Sequence, residues 1–283
     1  MDELNDGYRL LRKIPSNEPS LLLLWLPVVV IGLAGVPLYI SSLDQQVFVW
    51  LHQLGWYVHP ALWQWLTVLG DGLAVCALMA LLARRFPQLL WTYMIAVLLG
   101  TLWTHGLKWV LGGPRPAAVL DPVLLRVIGQ VLEGNAFPSG HTLTIVGFCG
   151  IWILSIKKLP IKVALIALAL TVSLSRLMVG AHWPTDVVYG ALGGWLVAIT
   201  ALWISRRWQW GLRPTAQRLF TMLLLILSGV LIFHDAGYPA SEWLLAGLGV
   251  MGVAASLVHL LNPTLVRRTA DGTVYVYDSS VRT

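Results

Sequence analysis

Residues 21–40 read LLLLWLPVVVIGLAGVPLYI, a run of twenty residues without a charged side chain. A helix of this length spans the ~30 Å hydrocarbon core of a bilayer, because each residue adds about 1.5 Å. The rest of the 283-residue chain is similar, with 57% hydrophobic and only 11% charged residues. Soluble domains carry about 25% charged residues, so this composition excludes an ordinary soluble protein and indicates a helical membrane protein.

Further apolar runs follow the first along the whole chain. The predicted spans are 21–40, 61–82, 89–110, 139–156, 160–176, 185–204, 219–233 and 243–261. These runs are continuously apolar and do not alternate, so the sequence predicts an all-α, polytopic transmembrane helical bundle. We expect a cytoplasmic tail at 1–20, a six-helix membrane core at 21–210, an additional transmembrane helix pair at 211–265 and a cytoplasmic tail at 266–283, which is polar and loose from residue 269.

The placement of positive charge predicts the orientation of the spans. If the N-terminus is cytoplasmic, all but four of the 19 Lys and Arg residues fall on the cytoplasmic side. The other side keeps Lys108, Arg115, Arg126 and Arg176. This asymmetry is typical of membrane proteins. We therefore expect a bacterial-type inner membrane with both termini cytoplasmic, and the net charge of +6 reflects topology and not nucleic-acid binding.

Three short polar patches lie among the apolar runs. They are Lys108 with Arg115-Pro116, then Pro138-Ser139-Gly140-His141, then Ser175-Arg176 with His182 and Asp186. On the predicted topology all three patches fall at the outward ends of spans, so the helix hairpins bring them to one membrane surface. Three of the four outward cations belong to these patches, which indicates a functional site at the periplasmic face.

The residue types in the patches suit a phosphate group. Arg115 and Arg176 offer planar donor forks, and Lys108 offers a compact positive charge. Ser139 and Gly140 open a predicted helix, where the backbone N–H groups are unpaired and the helix dipole is positive. These five residues form a candidate anion cradle that requires no metal ion or other cofactor.

The two histidines and the carboxylate suit phosphoryl transfer. His182 can attack phosphorus through one ring nitrogen if Asp186 holds the other nitrogen. Pro184 favours the first helical position, which makes Trp183 the cap and places Asp186 at the third helical position, within reach of His182. His141 would protonate the leaving oxygen and later activate water against the phosphohistidine.

The patches resemble the three-part signature of the type 2 phosphatidic acid phosphatase superfamily, the lipid phosphate phosphatases. Every position of that signature matches, from the lysine ahead of Arg-Pro to the histidine and aspartate after Ser-Arg. The resemblance covers roughly residues 60–205 and implies a six-helix core, so the membrane core at 21–210 is expected to be the phosphatase core. It implies His182 as nucleophile, Asp186 as its partner and His141 as acid and base. It further implies that phosphate is bound by Lys108, Arg115, Ser139, Gly140 and Arg176. The helix pair after about residue 215 departs from that core, and its role stays open.

Two features lie outside the signature. Asp71 falls within the second predicted span, where an ionisable group is either functional or a helix-packing residue. Residues 121–134 predict a capped amphipathic helix, which would be either a lid on the outer surface near the lipid headgroup or a passive interfacial helix.

The sequence predicts a metal-independent phosphatase that hydrolyses a lipid phosphate or pyrophosphate at the periplasmic face through a phosphohistidine. Undecaprenyl pyrophosphate is the first substrate candidate, followed by phosphatidylglycerophosphate, phosphatidic acid and lipid A 1-phosphate. Two alternatives stay open: a lipid-to-lipid phosphotransferase with the same intermediate, and a transporter or binding protein whose cradle only holds the headgroup. The expected partners are this lipid and the bilayer, with no nucleic acid, and the oligomeric state is not predicted.

Overall fold

The fold is helical throughout its central part. A computed structural model describes residues 8–14, 18–269 and 273–282. The elements in chain order are β1 Tyr8–Ile14, α1 Leu21–Ile40, α2 Leu43–Leu54, α3 Pro60–Val68, α4 Gly72–Ala83, α5 Pro87–Leu111, α6 Pro116–Val119, α7 Gly140–Ser155, α8 Leu159–Met178, α9 Pro184–Arg207, α10 Pro214–Leu231, α11 Glu242–Leu261, β2 Thr264–Arg268 and β3 Val274–Arg282.

The long apolar helices confirm the predicted bundle. In the described part of the chain, six helices are long and apolar enough to cross a membrane: α1, α5, α8, α9, α10 and α11. Helices α3 and α4 make a seventh span if the pair, bent by 62°, counts as one, and α7 is a shorter apolar helix. Each of the eight predicted spans therefore corresponds to a helix or to the bent pair, and the chain is a multi-pass membrane protein.

Asp71 marks the break between α3 and α4. Its Oδ1 accepts hydrogen bonds from the backbone N–H groups of Leu73 at 2.8 Å and Ala74 at 3.4 Å. These are two of the donors that a helix N-terminus leaves without an intrahelical partner. Asp71 therefore caps the second half of a broken span, which gives this ionisable residue a structural role.

Small residues bring α7 and α9 together. A Cβ atom added at Gly190 would lie 2.6 Å from the carbonyl oxygen of Ser139, and one at Gly194 would lie 2.5 Å from the carbonyl oxygen of Leu143. Real Cβ atoms do not approach backbone oxygens this closely, so glycine permits the close contact of the two backbones. The contact fixes the start of α7 beside the first turns of α9, where two of the polar patches lie.

The additional pair α10 and α11 is part of the bundle. The two helices pack against each other and against α4. Leu231 and Leu245 are buried in a cluster with Val68 and Met178, which belong to α3 and α8. The pair therefore shares a hydrophobic core with helices of the predicted six-helix core.

The two ends of the chain meet in a small sheet that the sequence reading did not predict. Strand β3 lies between β1 and β2 and pairs antiparallel with both. Val274 and Val276 are buried, and they alternate with tyrosines in a period-two pattern that is typical of a strand. The expectation of a loose tail is therefore wrong for the described part of 269–283, while the cytoplasmic location of both tails stays a prediction.

Residues 121–134 do not form the predicted amphipathic helix. A single 3-10 turn, Pro122–Leu124, follows the cap that Asp121 provides to Val123, and the chain then runs without regular structure. The backbone N–H of Ile128 donates to the carbonyl oxygen of Val179, which lies outside the segment. Tertiary partners therefore take the place of the hydrogen bonds that a helix would make. We call residues 121–137 the outer strap.

Candidate active site

The structure brings the three polar patches together at one end of the bundle. Lys108 lies in the last turn of α5, Ser139 caps α7, and Arg176 lies in the last turn of α8. Direct contacts join the patches across the sequence. Arg115 Nη1 lies 3.4 Å from His182 Nε2, and the backbone N–H of Ser139 donates to the carbonyl oxygen of Asp186 at 3.0 Å.

His182 and Asp186 have the geometry that the sequence predicts. Trp183 is the N-cap of α9 and Asp186 occupies the third helical position. The Oδ2 atom of Asp186 accepts from the backbone N–H of Trp183 at 2.8 Å and lies 3.2 Å from His182 Nδ1. The carboxylate is an acceptor, so Nδ1 carries the proton and Nε2 keeps its lone pair.

Burial and nearby charge keep His182 neutral. The side chain is 2% exposed and lies in the loop before α9. Burial lowers the pKa of His182 well below 6.5, and the positive charges of Arg176, Arg115 and Lys108 lower it further. At neutral pH the imidazole is therefore unprotonated, which is the state that a nucleophile requires.

Backbone carbonyls hold Arg115 in place beside His182. Its Nε donates to the carbonyl oxygen of Gly134 at 2.8 Å and its Nη1 to that of Ala181 at 2.9 Å. Its Nη2 lies 3.4 Å from the carbonyl oxygen of Asn135. These acceptors carry no net charge, so the guanidinium is positioned while its positive charge stays available for an anion.

Lys108 reaches the same part of the outer strap as Arg115. Its Nζ donates to the carbonyl oxygen of Asn135 at 3.2 Å. Lys108 lies on α5 and Arg115 in the loop that follows, so one strap carbonyl links two of the predicted phosphate ligands.

Arg176 is held by two hydroxyl groups from distant parts of the chain. Its Nη1 donates to Thr67 Oγ1 on α3 and, at 3.0 Å, to the hydroxyl of Tyr238. Tyr238 lies in the connection between α10 and α11. Arg176 is 3% exposed, and its Nε has no hydrogen-bond partner among the described residues. Sequence reasoning did not identify Thr67 or Tyr238, and neither lies in a motif that would have revealed it.

Ser139 differs in one respect from the prediction. Its Oγ accepts from the backbone N–H of Thr142 at 3.4 Å, as expected for a cap. Its own N–H is paired with the carbonyl oxygen of Asp186, so the prediction of an unpaired N–H is wrong for Ser139. A Cβ atom added at Gly140 would make an ordinary van der Waals contact with Thr104 Cγ2 at 3.5 Å, so no crowding at this position requires glycine. A role for the Gly140 N–H stays a prediction.

Helix α2, which the sequence reading missed, supports the loop around His182. Asp44 Oδ1 accepts from the backbone N–H of Thr185 at 2.8 Å. His52 Nδ1 lies 2.9 Å from the carbonyl oxygen of Leu177, and its Nε2 accepts from the backbone N–H of Arg126 at 3.0 Å. The neutral imidazole can serve both contacts at once, so His52 ties α8 to the outer strap.

A largely apolar cavity begins at His141, the acid and base that the sequence predicts on α7. It has a volume of about 310 Å³ and lies between α4, α5 and α7. Gly140 and His141 line one end, and Tyr93 and Phe148 line the part nearer the middle of the bundle. The cavity therefore connects the polar end of the bundle with its apolar interior.

Comparison with known proteins gives a consistent result. A family model described as the PAP2 superfamily matches residues 89–210. Lipid A 1-phosphatase of Rhizobium etli is 42% identical over 73 residues, which are 25% of this chain and 31% of the relative. Phosphatidylglycerophosphatase B of Escherichia coli is 33% identical over 99 residues, 34% of this chain and 39% of the relative. This chain thus spans about a third of the length of these relatives.

Two longer matches extend beyond the motif region. Lipid A 4'-phosphatase of Bacteroides thetaiotaomicron is 24% identical over 222 residues, 69% of this chain and 96% of the relative. The crystal structure of Aquifex aeolicus LpxE superposes with a TM-score of 0.50 and 25% identity, covering 58% of this chain and 96% of that one. Residues 89–210 contain all the site residues predicted from the sequence, so the match to the PAP2 superfamily model covers the whole candidate site.

Proposed function

We propose that this protein is an integral-membrane phosphatase that removes a phosphate group from a lipid through a phosphohistidine at His182. One observation carries the proposal. His182 Nδ1 faces the Asp186 carboxylate, while its Nε2 faces the Arg115 guanidinium in a buried setting that keeps the ring neutral. A nucleophile held by a carboxylate and directed toward fixed positive charge is the arrangement that phosphoryl transfer requires.

The reaction proceeds in two displacements. His182 Nε2 attacks phosphorus, the bond from phosphorus to the lipid oxygen breaks, and His141 gives that oxygen a proton. Lys108, Arg115 and Arg176 stabilise the negative charge on the phosphoryl oxygens. Water then attacks the phosphohistidine, His141 takes its proton, the P–N bond breaks, and inorganic phosphate leaves.

A lipid is the favoured substrate because of the cavity below His141. Its apolar lining suits a hydrocarbon chain, while the phosphate stays among the cations at the bundle end. The names of the relatives, which include lipid A and phosphatidylglycerophosphate phosphatases, support the same class. Undecaprenyl pyrophosphate comes first, followed by phosphatidylglycerophosphate, phosphatidic acid and lipid A 1-phosphate. The charge asymmetry of the loops supports a bacterial inner membrane, cytoplasmic termini and a periplasmic site.

Phosphate release tests the proposal directly. Purified protein and the His182→Ala variant are assayed across these four lipids with EDTA present. We expect release of inorganic phosphate by the wild type in EDTA and none by the variant. Loss of wild-type activity in EDTA would refute the metal-independent reaction, and activity of the variant would refute His182 as nucleophile.

The same assay separates the two alternatives. A phosphotransferase releases no free phosphate until a second lipid is added as acceptor. A binding protein or transporter turns over no lipid, and its His182→Ala variant keeps its function.

A further inference from the structure

The connection between α10 and α11 reaches the phosphate site from outside the matched region. We call residues 232–241 the α10–α11 loop. Tyr238 in this loop is 8% exposed, its hydroxyl accepts from Arg176 Nη1 at 3.0 Å, and Arg176 Cζ lies 6.0 Å from its ring centroid. The match to the family model ends at residue 210, so Tyr238 lies outside the matched region.

The loop is fixed where it passes Arg176. The backbone N–H of Ala240 donates to Gln64 Oε1 at 2.9 Å, and its carbonyl oxygen accepts from Trp65 Nε1 at 2.7 Å. Ser241 Oγ donates to the carbonyl oxygen of Tyr238 at 2.7 Å. Two anchors on α3 and one within the loop therefore hold the Tyr238 backbone, and its hydroxyl occupies a defined position.

The outer strap packs against the other side of the α10–α11 loop. Gly129 has φ of 89°, and a Cβ there would lie 2.5 Å from the carbonyl oxygen of Gly237. Only glycine accommodates both that backbone conformation and that contact. The α10–α11 loop thus lies between α3 and the strap whose carbonyls hold Arg115.

The hydroxyl partners leave Arg176 ready for an anion. Tyr238 and Thr67 both accept from Nη1. A hydroxyl orients the guanidinium without neutralising it, whereas a carboxylate would compete with phosphate for the charge. The buried Nε has no partner among the described residues, and an unpaired buried donor costs about 1–3 kcal/mol. A phosphate oxygen would satisfy that donor.

We propose that the α10–α11 loop completes the phosphate site and that Tyr238 is a positioning residue for Arg176. The hydroxyl of Tyr238 fixes Nη1, so that the remaining edge of the guanidinium meets the phosphate in one orientation. This inference rests on the proposed function in one respect, the binding of phosphate by Arg176. It assigns a role to the additional helix pair, because the loop connects the end of α10 with the start of α11.

A double-mutant cycle on anion binding tests this role without any need for turnover. Orthovanadate, a phosphate mimic, is titrated calorimetrically into detergent-solubilised wild type, Tyr238→Phe, Arg176→Gln and the double variant. Because a hydrogen bond to a charged group contributes about 1.5–3 kcal/mol, we expect Tyr238→Phe to weaken binding by about tenfold or more. In the Arg176→Gln background the same change is expected to have an effect of less than twofold.

Tyr277→Phe is the matched control, because Tyr277 is also 8% exposed but lies on β3. We expect it to bind vanadate like the wild type, and we expect Tyr238→Phe and Tyr277→Phe to unfold at similar temperatures. Wild-type binding by Tyr238→Phe would overturn the proposal, as would an equal loss in both Arg176 backgrounds. Failure of lipid turnover with the cycle intact would refute the proposed function and leave the positioning role standing.

Discussion

Replacing Asp186 by asparagine tests the electrostatic role of the carboxylate. Its Oδ2 serves both His182 Nδ1 at 3.2 Å and the Trp183 N–H at 2.8 Å. One oxygen makes both contacts, so an asparagine oxygen at the same position can keep the histidine tautomer and the helix cap. The substitution therefore removes the negative charge with little change in geometry.

The expected loss follows from the charge that develops on His182. A full positive charge at the 3.2 Å separation would be stabilised by roughly 5 kcal/mol at an effective dielectric constant of about 20. The imidazolium charge is shared between two nitrogens, which leaves about 2.5 kcal/mol for the nearer one. Since 1.36 kcal/mol is a factor of ten in rate, we expect Asp186→Asn to lower kcat about a hundredfold.

Steady-state phosphate release from lipid in detergent micelles measures this loss. We expect KM to change by less than about threefold, because the charge on His182 develops only in the transition state. Asp186→Ala should lose more activity and also stability, since it leaves the buried Trp183 N–H unpaired at a cost of about 1–3 kcal/mol. A kcat for Asp186→Asn within threefold of the wild type would refute the reasoning.

Three further predictions concern other parts of the structure. Burial lowers the pKa of His52, so its contribution to stability is full above the unfolded pKa of about 6.5 and is lost as pH falls through the folded pKa. The free energy of unfolding should therefore fall by up to about 1.4 kcal/mol per pH unit between pH 7.5 and 5, and thermal unfolding of His52→Gln should show a smaller slope. An equal slope in both proteins would contradict this role of His52. Gly190→Ala should lower the free energy of unfolding by about 1–3 kcal/mol and reduce activity, because the added Cβ would meet the Ser139 carbonyl oxygen. Gly247→Ala is the control, because its Cβ would meet no atom within 4 Å. Equal unfolding temperatures for the two variants would refute the close contact. Arg115→Lys should weaken orthovanadate binding by at least tenfold despite its equal charge, because one ammonium group cannot replace the guanidinium that contacts three carbonyl oxygens and His182. Unchanged affinity would show that the positive charge alone suffices.

The spans and the contact between His182 and Asp186 could be predicted because their signals are local. An uninterrupted apolar run indicates a membrane helix whatever surrounds it, and α1 and α11 begin and end near the predicted residues. The contact of His182 with Asp186 was predictable for the same reason. Pro184 fixes the start of α9, and the geometry of one helical turn then decides which side chains meet.

Features that depend on tertiary partners could not be read from the chain. Tyr238 and Arg176 are 62 residues apart, and no spacing rule connects a tyrosine in one loop with an arginine at the end of another helix. The outer strap has an amphipathic helical pattern, yet external partners such as His52 take up its backbone N–H groups. The period-two pattern of β3 was visible in the sequence, but its partner strands lie near the opposite end of the chain and just after α11.

The covalent intermediate on His182 tests the central claim most directly. A phosphate ester with a good leaving group, such as p-nitrophenyl phosphate, needs little help from an acid in the first step, while breakdown of the phosphohistidine still needs His141. Rapid quenching of His141→Gln with the ³²P-labelled ester should therefore trap label that is stable to base and labile to acid. We predict that peptide mapping places this label on His182 and that the His141→Gln/His182→Ala double variant carries none. Label on another residue, or no label while nitrophenol is released, would contradict the mechanism.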